Sequence, residues 1–152
     1  MLGSSLGFAA VIGANATCVQ ILADQKRFDF YWSDPNLRGE TPLYRALERG
    51  LSDIVKILVK KAQDYNARTV DGATLGHAAV FEKDPGGKLD CVKILSTVQF
   101  EGWNVGNKDG NTPIMLAITS NRIQIVEVLA NCPRVDLDFV SASGRYLEDV
   151  AR

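Results

Sequence analysis

"GETPLYRALERGLSDIVKIL", residues 39–58, holds two short apolar stripes separated by Arg49-Gly50, and both stripes recur along the chain. Its last five residues, "IVKIL" at 54–58, are matched by "CVQIL" at 18–22, "CVKIL" at 91–95 and "IVEVL" at 125–129. The first positions of these copies, Cys18, Ile54, Cys91 and Ile125, lie 36, 37 and 34 residues apart. Apolar residues at i, i+1, i+3 and i+4 form one face of an α-helix, so the spacing predicts four helices with a buried side. The opening stripe recurs too: "GETPLYRAL" (39–47), "GATLGHAAV" (72–80) and "GNTPIMLAI" (110–118), with a fainter copy in "SSLGFAA" (4–10).

The three clear copies each carry Gly, then Thr two residues on, then Ala five further. A Thr at a helix start accepts a hydrogen bond from a first-turn N–H, so Thr41, Thr74 and Thr112 are predicted N-caps. Pro42 and Pro113 then fall at the first helical position, where a missing N–H removes no bond. The central Ala lets a neighbouring helix approach closely. Gly50 is a predicted helix stop, and the Asp-Gly pairs in "ARTVDG" (67–72) and "GNKDG" (106–110) signal tight turns. Each unit is a capped helix, a turn, a second helix and a polar loop. Such a unit cannot bury its apolar face alone, whereas stacked copies share a continuous core.

These residues carry a family resemblance. "GETPLYRAL" and "GNTPIMLAI" resemble the Thr-Pro-Leu-His signature of ankyrin repeats. "AQDYNA" (62–67) is similar to that family's hairpin segment, and "GLSDIVKIL" (50–58) to its second helix. The resemblance implies an all-α ankyrin-repeat solenoid of stacked helix-turn-helix units with β-hairpin loops. It is expected to form one domain over 1–152, with repeats near 1–36, 37–69, 70–106 and 107–140 and a partial fifth at 141–152. Hairpin length is constant between Asn66 and Thr74, Asn104 and Thr112, and Asp138 and Tyr146, each eight residues apart. Tyr31 to Thr41 is ten, and "EKDPGGK" (82–88) inserts residues between the helices of the third unit as a neutral loop or a partner-specific projection. "GRYLEDVAR" (144–152) puts Glu148 in the apolar slot of Leu43 and Ile114, as a polar cap or the point where a longer sequence was cut. With no hairpin before the first unit, the chain is expected to be a piece of a longer protein.

Composition narrows the function. Of 152 residues, 46% are hydrophobic and 23% charged, which suits a globular domain rather than a disordered chain. Lys and Arg number 17 against 18 Asp and Glu, so no basic excess exists to track a nucleic-acid backbone or an anionic membrane. No apolar run reaches the length of a membrane span. "LGFAAVIGANA" (6–16) ends in an Ala-x-Ala arrangement but lacks the positive segment of a secretory signal, and it fits the repeat. The Asn15-Ala16-Thr17 acceptor pattern would matter only in a secreted protein. An odd three cysteines make no disulfide framework, so an intracellular compartment, cytoplasmic or nuclear, is expected.

His77, the chain's one histidine, and Cys91 raise the question of a nucleophile and base. Comparison with the sister units answers it differently. His77 shares its slot with Tyr44 and Met115, and Cys91 shares its slot with Ile54 and Ile125. The resemblance implies a scaffold histidine bonded to backbone near a turn, and Cys91 and Cys18 are expected as core residues. Cys132, before Pro133 in a loop, is expected to be partly exposed. "GGK" fails as a phosphate loop, because Glu82 stands where the first Gly belongs and Leu89 where Ser or Thr belongs. No metal or cofactor motif is present, so no enzyme activity and no cofactor are expected.

What remains is surface. The resemblance implies that hairpin tips and outward positions of the first helices line a concave face that binds a protein partner. Position by position, this face falls on Arg38, Glu40, Arg45 and Glu48 in the second unit. In the third unit it takes Val70, Asp71, Ala73, Phe81 and Glu82. In the fourth unit and the tail it takes Lys108, Asp109, Asn111, Ser120 and Arg145. Trp103 is expected in the core, while Trp32, with no matching slot, could be an exposed anchor. The apolar "LGFAAVI" (6–12) could pair with another copy, though oligomerisation is not predicted.

Overall fold

The computed structural model describes residues 6–62, 64–81 and 88–138. Among them are eight α-helices: α1 (Leu6–Ile12), α2 (Ala16–Ala23), α3 (Pro42–Glu48), α4 (Ser52–Leu58), α5 (Leu75–Val80), α6 (Lys88–Leu95), α7 (Pro113–Thr119) and α8 (Ile123–Ala130). Lys26–Trp32 and Gly102–Asn104 form 3₁₀ turns, and no strand occurs among the described residues. The odd-numbered helices pack in sequence, α1 on α3, α3 on α5 and α5 on α7. The even-numbered ones do the same, α2 on α4, α4 on α6 and α6 on α8. The result is a stack of helix pairs with one core running through it. The partial fifth unit, the 82–87 part of the insertion and residues 1–5 lie outside the described residues.

The predicted start signals at Thr41 and Thr112 work as read. Thr41 is extended (φ −95°, ψ 167°), and its hydroxyl accepts from the Tyr44 N–H at 3.2 Å. Thr112 does the same for Met115 at 3.5 Å, and Pro42 and Pro113 begin their helices. Three of the four helix pairs, α1–α2, α3–α4 and α7–α8, are joined by a residue in the left-handed region: Ala14 (φ 52°), Gly50 (φ 68°) and Asn121 (φ 56°). Glycine adopts that conformation without a Cβ clash, Asn tolerates it, and Ala is strained there.

Burial shows which way each slot faces. Ile54, Cys91 and Ile125 are buried, whereas Cys18 in the same slot is exposed, contrary to its expected place in the core. Ile21 and Leu22 lose cover in the same way, while Val19 remains fully buried. In the last pair the reverse holds: Leu129 is buried and Val126, the counterpart of Val19, is half-buried. The first, fourth and fifth slots therefore face the preceding unit and the second faces the following one. Cys18 is exposed because no helix precedes α2 on that side among the described residues. Cys132 is likewise corrected, since successive turns through Leu129, Cys132 and Val135 fold its side chain into a buried position.

Aromatic residues fill the irregular parts of the core. Phe100 and Trp103 meet edge to face with centroids 5.0 Å apart. Gly76 makes room for them: a Cβ there would lie 2.7 Å from Pro113 Cγ and 3.0 Å from the Trp103 ring. Leu43 and Ile114 occupy the same slot where no such pair must be accommodated. Trp103 is core as expected, but Trp32 is buried as well, packed in the core at the end of its 3₁₀ turn against α1 and α2. It is not an exposed anchor.

Candidate partner-binding surface

The hairpin tips are built by one device used three times. The side chain of Asn36, Thr69 or Asn107 accepts from a backbone N–H four residues on, at Glu40, Ala73 and Asn111. Gly39, Gly72 and Gly110 close each tip at φ 73–78°. Successive tips are joined by single rungs, Val70 N–H to the Arg38 carbonyl and Lys108 N–H to that of Asp71, each 2.9 Å. The tips are thus held in register beside the first helices.

The expected contact residues divide into three groups. Arg38, Val70, Asp71, Phe81, Lys108 and Asp109 are exposed. Arg45, Glu48, Ala73, Asn111 and Ser120 are half-buried, and Glu82 and Arg145 lie outside the described residues. Glu40 departs from expectation. It is only 7% exposed, its carboxylate held under the tip by the Asn36 amide at 2.8 Å with Arg45 3.9 Å away. Glu40 shapes the tip rather than presenting a contact.

The structure brings the charges together in closed sets. Arg45 and Glu48 pair at 2.7 Å on one turn of α3, Arg38 stands 3.8 Å from Glu40, and Lys108 reaches Asp71 of the preceding tip at 3.1 Å. Tyr44, beside this set, has its phenol pushed up to about 12 by burial and by the Glu48 and Glu40 carboxylates, so it stays protonated. Ser120 caps the C-terminus of α7, and Thr119 before it holds the slot that Glu48 holds in α3.

His77 is a structural link between units. Its Nδ1 accepts from the Thr74 N–H at 2.9 Å, the reciprocal half of a capping box. That fixes the proton on Nε2, which donates to the Asn111 carbonyl of the next hairpin at 2.7 Å. Both ring nitrogens are occupied, and burial holds the imidazole down at about 4 despite the opposing bond to Asn111. Burial pushes the Cys91 thiol up to about 11 against the pull of Lys88, which disfavours the thiolate at neutral pH. Among the described residues no group of His, Cys, Asp and Glu is arranged to hold a metal ion.

Lys88, the lysine of "GGK", was not legible from its neighbours in sequence. It is buried, and its ammonium donates to the carbonyls of Leu47, Glu48 and Ala78. It therefore satisfies the C-terminal carbonyls of α3 and α5 together. Arg49 serves α1 similarly, donating to the carbonyls of Val11 and Ile12 at 3.0 and 3.1 Å. Two exposed apolar residues were not placed on this face by the sequence reading: Ile12, which ends α1 as Glu48 ends α3, and Leu37, one residue before Arg38 as Val70 precedes Asp71. The repeat spacing itself was the signal that could have found them.

A family model of ankyrin repeats (three copies) matches residues 3–69 and again 67–141. The chain belongs to the ankyrin-repeat family. It is also 28% identical over 91 residues to human transient receptor potential cation channel subfamily A member 1. That match covers 60% of this ankyrin-repeat chain but spans only 8% of the channel's length. No helix among the described residues is long and apolar enough to cross a membrane.

Proposed function

We propose that this ankyrin-repeat chain is a non-enzymatic scaffold that binds a protein partner through the face made by its hairpin tips and first helices. The observation that carries this reading is the registered row of tips. Val70 and Lys108 bond to the tip before them, so exposed side chains from separate units are held in fixed positions before a partner arrives. Preorganisation of this kind lowers the ordering cost of association. His77 and Cys91 are both engaged in the fold, which supports a non-enzymatic reading. An intracellular location fits three free thiols.

A second reading is a regulatory or sensing segment of a larger channel, receptor or signalling enzyme. Its support is the similarity to a channel of which the match spans 8%.

Affinity capture compares two doubly substituted chains with matched changes in charge. Val70→Glu with Phe81→Glu places carboxylates on the proposed face, whereas Lys56→Gln with Lys93→Gln alters exposed positions of the second helices. Capture of the partner retained by the wild-type chain should fall about tenfold or more for the first pair and stay unchanged for the second. Equal effects of the two pairs, or none from the first, would remove the face assignment.

A further inference from the structure

The outward slots of the first helices line up because α1, α3, α5 and α7 pack in sequence. Their last positions are Ile12, Glu48, Phe81 and Thr119, with Phe81 immediately following α5. Ile12 is 64% exposed and Phe81 49%. Beside them, equivalent positions of two bonded tips carry Leu37 and Val70, 75% and 72% exposed. Large aliphatic and aromatic groups thus stand in solvent at matching places in three successive units.

The charges among them are mostly spent within the chain. Arg45 faces Glu48, Arg38 faces Glu40, and Lys108 faces Asp71. Asp109 at the last described tip is the carboxylate without an ion pair among the described residues. Among the described residues the strip holds three cations, Arg38, Arg45 and Lys108, against four carboxylates, Glu40, Glu48, Asp71 and Asp109, a net charge of −1. A strongly charged ligand would find little net field and would have to break pairs already made. An apolar ligand would cover exposed hydrocarbon and could lie across the pairs without breaking them, since each is already neutralised within the chain.

We infer that the ligand of this face is a segment of a partner protein presenting a row of apolar side chains and little net charge. Leu37, Val70, Phe81 and Ile12 are its contacts. The inference rests on the proposed binding face and adds the chemistry of the occupant. Exposed apolar groups clustered across units mark interaction sites far more often than isolated ones do. The Arg45–Glu48 pair separates the Ile12 and Phe81 contacts and fixes register rather than supplying the affinity.

The test is a random-peptide display library panned on the wild-type chain. The enriched peptides should be rich in Leu, Ile, Phe and Trp and close to neutral. A synthetic peptide of the leading sequence should lose about tenfold or more in affinity on Leu37→Ser with Phe81→Ser, and less than about threefold on Arg45→Gln with Glu48→Gln. Melting curves confirm that both variants remain folded. Charged peptides whose binding depends on Arg45 and Glu48 would overturn this inference while leaving the binding face intact. Peptides that also bind the Val70→Glu, Phe81→Glu chain unchanged would overturn both, as would a library that enriches nothing.

Discussion

His77 shows how a single residue changes meaning once its bonds are known. Nδ1 faces a backbone donor, so protonating it would set two donors against each other in a site closed to water. The folded imidazole titrates at about 4, below its unfolded value near 6.5. Because the folded value is the lower one, the unfolded chain takes up the proton first as pH falls. The stability tied to neutral His77 is thus present above about pH 6.5 and is lost as pH falls toward 4, by up to about 3 kcal/mol. His77→Gln keeps an acceptor at the capping position without the titration. The stability difference between wild type and this variant, measured by urea unfolding from pH 7 to 4, should shift against the wild type. Parallel curves would refute the assignment. Two sister units place Tyr and Met at this position, which by itself tells against a reserved catalytic role. The bond to Asn111, 34 residues away, belongs to the stack and to no local pattern.

At the scale of elements, caps and turns were readable and side-chain volume was not. Thr-Pro starts and the Gly50 stop follow from backbone sterics that act within a few residues. The left-handed link between helices has the same local origin, so Ala14→Gly should stabilise the chain by roughly 0.5 kcal/mol, strain relief outweighing the added freedom of the unfolded chain. Gly76→Ala should do the opposite, costing on the order of 1–3 kcal/mol, because its Cβ meets Pro113 and Trp103. Thermal melts of the two variants should move in opposite directions. A stabilising Gly76→Ala would mean that the aromatic pair can shift to accept a methyl group. Lys88 belongs to this scale as well. Its sequence neighbours pointed toward loops and phosphates, yet the carbonyls it satisfies come from helices 10 to 41 residues back.

For the whole molecule, stability is a sum over neighbouring units, and the units are not equally covered. α4 and α6 have a helix pair on each side and bury Ile54 and Cys91, whereas α2 leaves Cys18 and Ile21 open. Hydrogen exchange on the 152-residue chain should show amides of α2 exchanging about tenfold faster, or more, than those of α4 and α6. Uniform protection would mean that the stack unfolds as one cooperative block. The sequence by itself determined the period, the helix pairs, their starts and stops, and the structural slots that His77 and Cys91 share with sister units, because those follow from local sterics and from comparing copies of one unit. It also reached the tips that carry the proposed binding face. Only the tertiary structure decided which copies of a slot are buried, as with Cys18 against Ile54. It likewise decided that Glu40 and Trp32 turn inward, that Lys88 ties two helix ends, and that the tip charges pair with one another. Each of those depends on which atoms a neighbouring unit brings within a few ångströms, and repeat spacing alone does not carry that information.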